Sequence, residues 1–216
     1  MDKLITRIYE QDLNGTDIDY LTKGKAKVIL YEDLQNVNNI LDIFGLFDAN
    51  LKSSKDDFLP QKKGSKTFVF DNVIMLFPVK SNTNGHWIAI MKNNKTQTIT
   101  HWDPYGFSWI EEMPYTQNKY VKMNLLGNLY NLAKYNGWNV QWNKYKFQEQ
   151  KNNINTCGRH CCIRVRFDYL DNDKYAKMML NQKMKPDWIV TCLTFVSLDE
   201  DEADEQTVRN FMKFSA

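Results

Sequence analysis

The stretch that decides the fold is residues 82–107, NTNGHWIAIMKNNKTQTITHWDPYGF. A short apolar run, residues 86–91, and an alternating run, residues 97–102, are separated by the polar turn Lys-Asn-Asn-Lys at 92–95. Alternation with a period of two residues is typical of half-buried strands, and the short polar link predicts an antiparallel hairpin. The start of the first strand and the end of the second would then lie side by side, which makes His86 and Asp103 neighbours.

Similar patterns recur on both sides of this hairpin. Short apolar runs predict two preceding antiparallel strands and one later strand, over Phe68–Phe70, Val73–Val79 and Val140–Phe147. Apolar residues at steps of three and four predict helices over Leu34–Leu46, Val121–Trp138, Cys157–Leu170 and Asp173–Gln182, with a further apolar segment over Trp188–Val196. This mixture predicts an α+β fold in which a central, mostly antiparallel sheet packs against helices.

A polar stretch divides the sequence near residue 60. Segments rich in Lys, Ser and Asp, at 52–57 and 61–66, mark a loop before the first strands. The 216 residues suffice for one domain with a short extension. We therefore predict an N-terminal helical accessory region over 1–60 and the main folded core over 61–216.

Composition excludes several classes of protein. With 28 Lys and Arg against 26 Asp and Glu, the net charge of +2 does not imply binding to nucleic acid. Four cysteines are too few for a small secreted disulfide scaffold, so we expect free thiols in a reducing compartment. Because no apolar run has the length of a signal peptide core or a membrane span, we expect a soluble, intracellular protein without a membrane partner.

Cys157 combines the features of a nucleophilic thiol. It follows a polar loop and begins an apolar helical segment, so it lies at a predicted helix N-terminus, where the helix dipole favours a thiolate. Asn155 or Thr156 is expected to cap this helix, and Gly158 leaves room for a substrate backbone. Cys161 is the rival nucleophile, but it lies a full turn deeper, where the dipole effect fades.

A thiolate needs a base, and the chain has three histidines: His86, His101 and His160. His86 begins a strand at the edge of the predicted sheet, a position typical of catalytic side chains. Asp103 ends the paired strand, where its carboxylate would hold the imidazole in the required tautomer. We interpret His101 as a packing or surface residue, and His160 as a helix-surface residue or a supporting group near the site.

The oxyanion of an acyl-transfer reaction also needs hydrogen-bond donors near the nucleophile. Gln148 and Gln150 lie just upstream of Cys157, so both are candidate amide donors beside the backbone N–H of Cys157. A zinc site built on the clustered cysteines and His160 is a weaker interpretation, because their spacing is not that of paired zinc ligands.

Three blocks of sequence resemble one clan of cysteine peptidases. They are NTNGHW at 82–87, WDPYGFS at 102–108, and Gln150 followed by CGRHC at 157–161. Their order is similar to that in the adenovirus endopeptidase (adenain), the African swine fever virus processing peptidase and the SUMO-specific proteases. The resemblance implies a papain-like α+β fold with permuted elements, and makes the core a cysteine peptidase.

Residue roles follow from the resemblance at the matching positions. It implies that Cys157 is the nucleophile, that His86 is the general base, and that Asp103 orients the base where adenain has a glutamate. Gln150 becomes the side chain of the oxyanion hole, because its separation from Cys157 matches adenain. Gln148 stays open as the alternative, since it directly follows the apolar strand.

The resemblance also implies a substrate and a setting. Trp87, beside the base, and Gly158 would line the substrate groove. The substrate would be a polypeptide, namely a viral capsid or core precursor cut during virion maturation, in the virion or the host cytoplasm. A ubiquitin-like or SUMO-like modifier is the alternative substrate, and a non-catalytic binding or structural protein is the alternative of another class. Neither a metal nor an organic cofactor is implied.

Overall fold

The computed structural model describes residue 10 and residues 12–45, 70–80, 85–151 and 154–199. Five strands in these ranges form one sheet in the order β1-β2-β3-β4-β5. The strands are β1 (Ala26–Leu30), β2 (Asn72–Pro78), β3 (Gly85–Asn93), β4 (Thr98–Trp102) and β5 (Asn139–Trp142). The three central strands are antiparallel, and each outer strand runs parallel to its neighbour. The predicted fold class, a central sheet packed against helices, is confirmed.

The helices follow the same chain order. They are α1 (Gly15–Thr22), α2 (Asp42–Gly45), α3 (Trp109–Glu112), α4 (Asn118–Met123), α5 (Leu125–Tyr135), α6 (Cys157–Arg166), α7 (Asn172–Leu180) and α8 (Pro186–Asp199), with 3-10 helices at Tyr31–Asn36 and Met113–Tyr115. None of the helices in the described ranges has both the length and the apolar character that crossing a bilayer requires.

The sheet is buried on both faces, because side chains alternate across each strand. In β3, Trp87 and Ala89 face a core made with α1, α6, α7 and α8. Ile88 and Ile90 face a second core, made with the first 3-10 helix and α2 to α5. One strand therefore supplies side chains to both cores.

The predicted hairpin is confirmed. Strands β3 and β4 pair antiparallel, with Ala89 opposite Trp102 and Asn93 opposite Thr98. Gln97 closes the turn with a positive φ of 49°. The register places the residue after β4 beside the beginning of β3.

Two helices that the sequence predicts as continuous are interrupted in the structure, so these two predictions are wrong. The predicted helix Leu34–Leu46 is interrupted at Val37, whose backbone is extended, and its last residue lies outside the described residues. The predicted helix Val121–Trp138 breaks at Asn124, which adopts the left-handed conformation (φ 42°) between α4 and α5. Asparagine tolerates this conformation better than most residues, so a continuous apolar pattern does not reveal the break.

Other predicted elements differ mainly in length. The strand predicted over Val140–Phe147 ends at Trp142, after which the backbone N–H groups of Phe147 and Gln148 bond the carbonyl of Pro104. Helix α6 ends four residues before the predicted Leu170. The surface helix predicted over Asp173–Gln182 is α7, which also buries Tyr175 in the core, and Trp188–Val196 lies within α8. Residues 68 and 69 lie outside the described residues.

The N-terminal segment contributes to the same sheet and core as the later elements. Strand β1 pairs with β2, and the carbonyl oxygen of Leu13 accepts a 3.0 Å hydrogen bond from the Trp87 indole. The predicted boundary near residue 60 lies outside the described residues. The division into regions 1–60 and 61–216 stays a prediction.

Candidate active site

The hairpin brings His86 and Asp103 together. His86 lies near the start of β3, and Asp103 directly follows β4. The His86 Nε2 atom lies 2.5 Å from the Asp103 Oδ1 atom. His86 is 8% exposed and Asp103 is fully buried, so the contact is shielded from water. Such a carboxylate fixes the ring orientation of a histidine and stabilises its protonated form.

The position of Asp103 is fixed by its own loop and by β5. Its Oδ2 atom accepts a 2.9 Å hydrogen bond from the Phe107 N–H. The Asn143 side chain accepts from the Asp103 N–H and donates to the Asp103 carbonyl oxygen, both at 2.9 Å. Gly106, with a φ of 80°, closes the turn, and a Cβ there would lie 2.9 Å from the Tyr145 carbonyl oxygen. The sequence offered no signal for Asn143, because its partner is distant in the chain.

Cys157 is the first residue of α6 and is 6% exposed. Its thiol lies close enough to the His86 side chain to help raise the pKa of that imidazole. Because Nε2 of His86 faces Asp103, Nδ1 is the ring nitrogen left for the thiol. The structure therefore brings the three predicted residues together in one site.

Electrostatics favour a charged His86. Burial by itself would lower the pKa of His86, but the charge and hydrogen bond of Asp103 and the contact with Cys157 raise that pKa well above its usual value. An imidazolium beside a thiol favours the thiolate, which is the nucleophilic form. The arrangement therefore favours an imidazolium at His86, directly beside the Cys157 side chain.

Tyr105 covers one face of the imidazole. The two ring centroids are 4.8 Å apart and the planes are inclined by 15°. Phe107 follows, with its ring centroid 5.9 Å from that of Tyr105. These rings restrict the rotation of His86 and its access to water, a role that the sequence did not indicate.

The N-terminus of α6 lacks the predicted side-chain cap. Thr156 occupies the N-cap position, but its hydroxyl donates to Asp187 Oδ1 at 2.5 Å instead of accepting from the helix. The Asn155 side chain donates to the Glu10 carbonyl oxygen at 2.8 Å. The first N–H groups of α6 therefore remain unbonded to these two side chains, as a helix N-terminus that binds an anion requires.

The two candidate glutamines differ in exposure. Gln148 is 1% exposed, and its amide donates a 3.1 Å hydrogen bond to the Ile154 carbonyl oxygen. Gln150 is exposed. Gln148 thus braces the loop before Cys157, whereas the Gln150 side chain is accessible from solvent.

Trp87 and Gly158 lie where α6 approaches β3. Trp87 is buried, and a Cβ added to Gly158 would lie 3.1 Å from the Trp87 Cδ1 atom and 3.3 Å from the Leu13 Cβ atom. Gly158 therefore permits close packing of α6. Their predicted place in a substrate groove stays a prediction.

Cys161, the rival nucleophile, is fully buried, and its thiol donates to the Trp87 carbonyl oxygen at 3.3 Å. Burial, followed by the nearby Cys157, raises the pKa of the Cys161 thiol well above its usual value. Both observations favour Cys157 as the reactive thiol.

The two other histidines are buried beside carboxyl groups. The His101 Nδ1 atom lies 3.0 Å from the Tyr130 hydroxyl, and its Nε2 atom lies 3.6 Å from Glu112 Oε1. The predicted packing role of His101 is confirmed. The His160 Nε2 atom lies 3.0 Å from Asp187 Oδ1, which excludes a helix-surface position. Asp187 was not a candidate from the sequence, where a Pro-Asp pair signals only a helix start.

One group of side chains in the described ranges has metal-ligand geometry. Ligand atoms of His86, Asp103 and Glu112 lie within 4.8 Å of one another. Two of these residues already bond each other, so a metal ion bound there would compete with the His86–Asp103 hydrogen bond.

Comparison with known proteins gives distant similarities. No protein-family model matches the chain. The uncharacterized protein V9 of the Sputnik virophage is 27% identical over 194 residues, which cover 84% of this chain and 93% of V9. The chain is also similar to two solved structures, each 14% identical to it. The African swine fever virus protease gives a TM-score of 0.46, with 86% of this chain and 68% of that chain covered. The C-terminal protease domain of a yeast enzyme, in complex with the yeast ortholog of SUMO, gives 0.39, with 88% and 80% covered.

Proposed function

We propose that this protein is a cysteine-type peptidase. The observation that carries the proposal is the buried hydrogen bond between Asp103 and His86, directed at Cys157 on the N-terminus of α6. A thiolate there attacks the carbonyl carbon of a peptide bond. The His86 imidazolium then protonates the leaving amine, and the neutral imidazole activates the water that hydrolyses the thioester.

Gln150 is our candidate for the side-chain donor of the oxyanion hole, with the backbone N–H of Cys157 as the second donor. Its exposure supports this role, because a donor to a substrate must be reachable. The Gln148 amide already donates to Ile154 within the loop. We place Trp87 and Gly158 at the border of the substrate groove, where α6 meets β3.

The proposed substrate is a polypeptide, namely a viral capsid or core precursor cleaved during virion maturation. A virophage relative that aligns with most of the chain supports a viral setting, in the virion or the host cytoplasm. The three sequence blocks shared with maturation peptidases and SUMO-specific proteases support cleavage near small residues such as glycine. A ubiquitin-like modifier is the second candidate substrate.

Labelling and turnover test the proposal on the full chain. Iodoacetamide at neutral pH should label Cys157 rapidly, and Cys157→Ala should abolish this labelling and all turnover, whereas Cys161→Ala should retain both. Fluorogenic peptides ending in Gly-Gly or Gly-x-Gly should be hydrolysed.

Two outcomes would change the proposal. If the protein turns over ubiquitin-like substrates and cleaves no peptide, the proposed substrate becomes a ubiquitin-like modifier instead of a viral precursor. A Cys157 that resists both iodoacetamide and a peptide aldehyde would instead indicate a non-catalytic binding protein.

A further inference from the structure

Asp187 is a buried carboxylate that the proposed reaction does not use. It lies in the first turn of α8 and is 1% exposed. Its Oδ1 atom accepts from the Thr156 hydroxyl at 2.5 Å and lies 3.0 Å from His160 Nε2. Its Oδ2 atom accepts from the Glu149 backbone N–H at 3.0 Å. One side chain thus bonds three groups outside its own helix.

Two of these partners are the two ends of one loop. Glu149 directly precedes Gln150, and Thr156 directly precedes Cys157. Asp187 therefore ties together the two places from which the proposed oxyanion donors project. Other side-chain hydrogen bonds at this loop join Gln148 to the Ile154 carbonyl oxygen, Asn155 to the Glu10 carbonyl oxygen and Lys185 to the Glu149 carboxylate, but each of them holds one place only.

We propose that Asp187 is a positioning residue that sets the separation between the Gln150 side chain and the Cys157 backbone N–H in the oxyanion hole. The inference rests on the proposed peptidase function. Oxyanion stabilisation needs donors held in advance where charge develops, and a loop bonded at both ends to one buried carboxylate meets that need.

The donor pattern of the cluster requires a carboxylate. An ionised carboxylate only accepts hydrogen bonds, and the Glu149 N–H and the Thr156 hydroxyl both donate to it. His160 completes the set if its Nε2 atom carries the hydrogen, which leaves its Nδ1 atom, without a partner in the described ranges, as an acceptor. An asparagine in place of Asp187 would keep the shape but turn an N–H₂ group toward one of these donors.

A tether without a role in catalysis would have different consequences. Alkylation of a thiolate by iodoacetamide forms no oxyanion, whereas peptide hydrolysis and hemithioacetal formation with a peptide aldehyde both do. A residue that only stabilises the fold would change all three in parallel. A residue that positions the oxyanion donors would change only the last two.

The test compares Asp187→Asn with Thr191→Val in the full chain. The Thr191 hydroxyl is buried and donates to the Asp187 carbonyl oxygen at 2.7 Å, so its loss removes a hydrogen bond from the same residue without touching the loop. Thr156→Val removes only one of the three hydrogen bonds to Asp187, and Thr156→Ser is its control because serine keeps the hydroxyl. This second pair keeps the proposal testable if Asp187→Asn does not fold.

We expect Asp187→Asn to lower kcat for a Gly-Gly peptide coumarin amide by about 10- to 100-fold, with a similar loss of affinity for a peptide aldehyde. The iodoacetamide rate should stay within about twofold, since it does not involve the oxyanion hole. Thr191→Val should leave kcat near wild type, and Thr156→Ser should restore what Thr156→Val loses. An unchanged kcat in Asp187→Asn, or an equal fall in alkylation and turnover, would overturn the inference. A wild-type protein that hydrolyses neither peptides nor ubiquitin-like substrates refutes the proposed function itself.

Discussion

The two halves of the site are built by different means. In the strand half, His86 and Asp103 are set by the register of one hairpin and by the two-point contact with Asn143. In the loop half, Glu149 and Thr156, which directly precede Gln150 and Cys157, both bond Asp187, a residue of the last helix in the described ranges. Local backbone geometry thus positions His86 and Asp103, whereas a long-range contact with Asp187 holds the residues that precede Gln150 and Cys157.

The largest expected effect comes from breaking the strand half at His86. His86→Ala removes the proposed acid and base of the reaction and should lower kcat/KM for the peptide substrate by about 10⁴-fold or more. His101→Asn is the matched control, because His101 is a buried histidine of the neighbouring strand that bonds Tyr130. The control should lower thermal stability more than turnover, and a loss of turnover equal to that of His86→Ala would contradict the assignment of the base.

The next effect tests how Asp103 controls the charge on His86. Asp103→Asn removes the negative charge that raises the His86 pKa, so this pKa should fall. Activity depends on the imidazolium and is lost as pH rises through the His86 pKa, so the alkaline limb of the kcat/KM profile should move to lower pH. We also expect turnover to fall by roughly 10²- to 10⁴-fold. An unmoved alkaline limb would separate Asp103 from the titration of His86.

The strand half was readable in the sequence for a physical reason. The short apolar run 86–91 and the alternating run 97–102 predict two strands, and a short turn fixes their direction. The neighbourhood of His86 and Asp103 then follows from pairing alone. Cys157 was found in the same way, because a polar loop before an apolar helical segment marks a helix N-terminus.

The rest of the site was not readable because its partners are distant in sequence. Asn143 lay inside a run predicted as strand, and Asp187 lies just before the predicted apolar segment Trp188–Val196, where nothing marked it as part of the site. Thr156 was expected as a cap, yet its hydroxyl bonds Asp187 instead. The helix break at Asn124 was not predicted for another reason. The apolar residues on both sides of Asn124 keep helical spacing, although Asn124 itself is left-handed.

The third prediction separates the two glutamines of the loop half. Gln150→Ala removes the proposed oxyanion donor and should lower kcat by about 10²-fold, with little change in thermal stability. Gln148→Ala leaves the buried Ile154 carbonyl oxygen without this donor, so it should lower the free energy of unfolding by about 1–3 kcal/mol. Measurement of kcat and chemical unfolding on both variants gives the comparison. If Gln148→Ala loses more kcat than Gln150→Ala does, relative to the free energy of unfolding that each variant loses, the donor is Gln148 and not Gln150.

The fourth prediction concerns Asn143, whose side chain supports Asp103 in the strand half. Asn143→Ala removes both hydrogen bonds to the Asp103 backbone, and should lower the free energy of unfolding by about 2–4 kcal/mol. Turnover should fall by about 10-fold, since small displacements of catalytic groups cause losses of this order or more. Gln141→Ala is the control, because it removes a hydrogen bond to Thr100 on the same strand pair without contact to Asp103. Equal turnover in the two variants would show that Asp103 is fixed by its own loop alone.

The smallest expected effect concerns an exposed ion pair at the loop half. The Lys185 Nζ atom lies 2.5 Å from Glu149 Oε1, and hydrogen bonds from Lys151 and Lys185 lower the pKa of Glu149 to about 2. Exposed ion pairs of this kind are screened by solvent and salt, so Lys185→Ala should leave kcat within about twofold of wild type at low and high ionic strength. Asp187 still accepts from the Glu149 N–H in this variant. If Lys185→Ala instead lowered kcat as far as Asp187→Asn does, the surface pair rather than the buried carboxylate would position the loop.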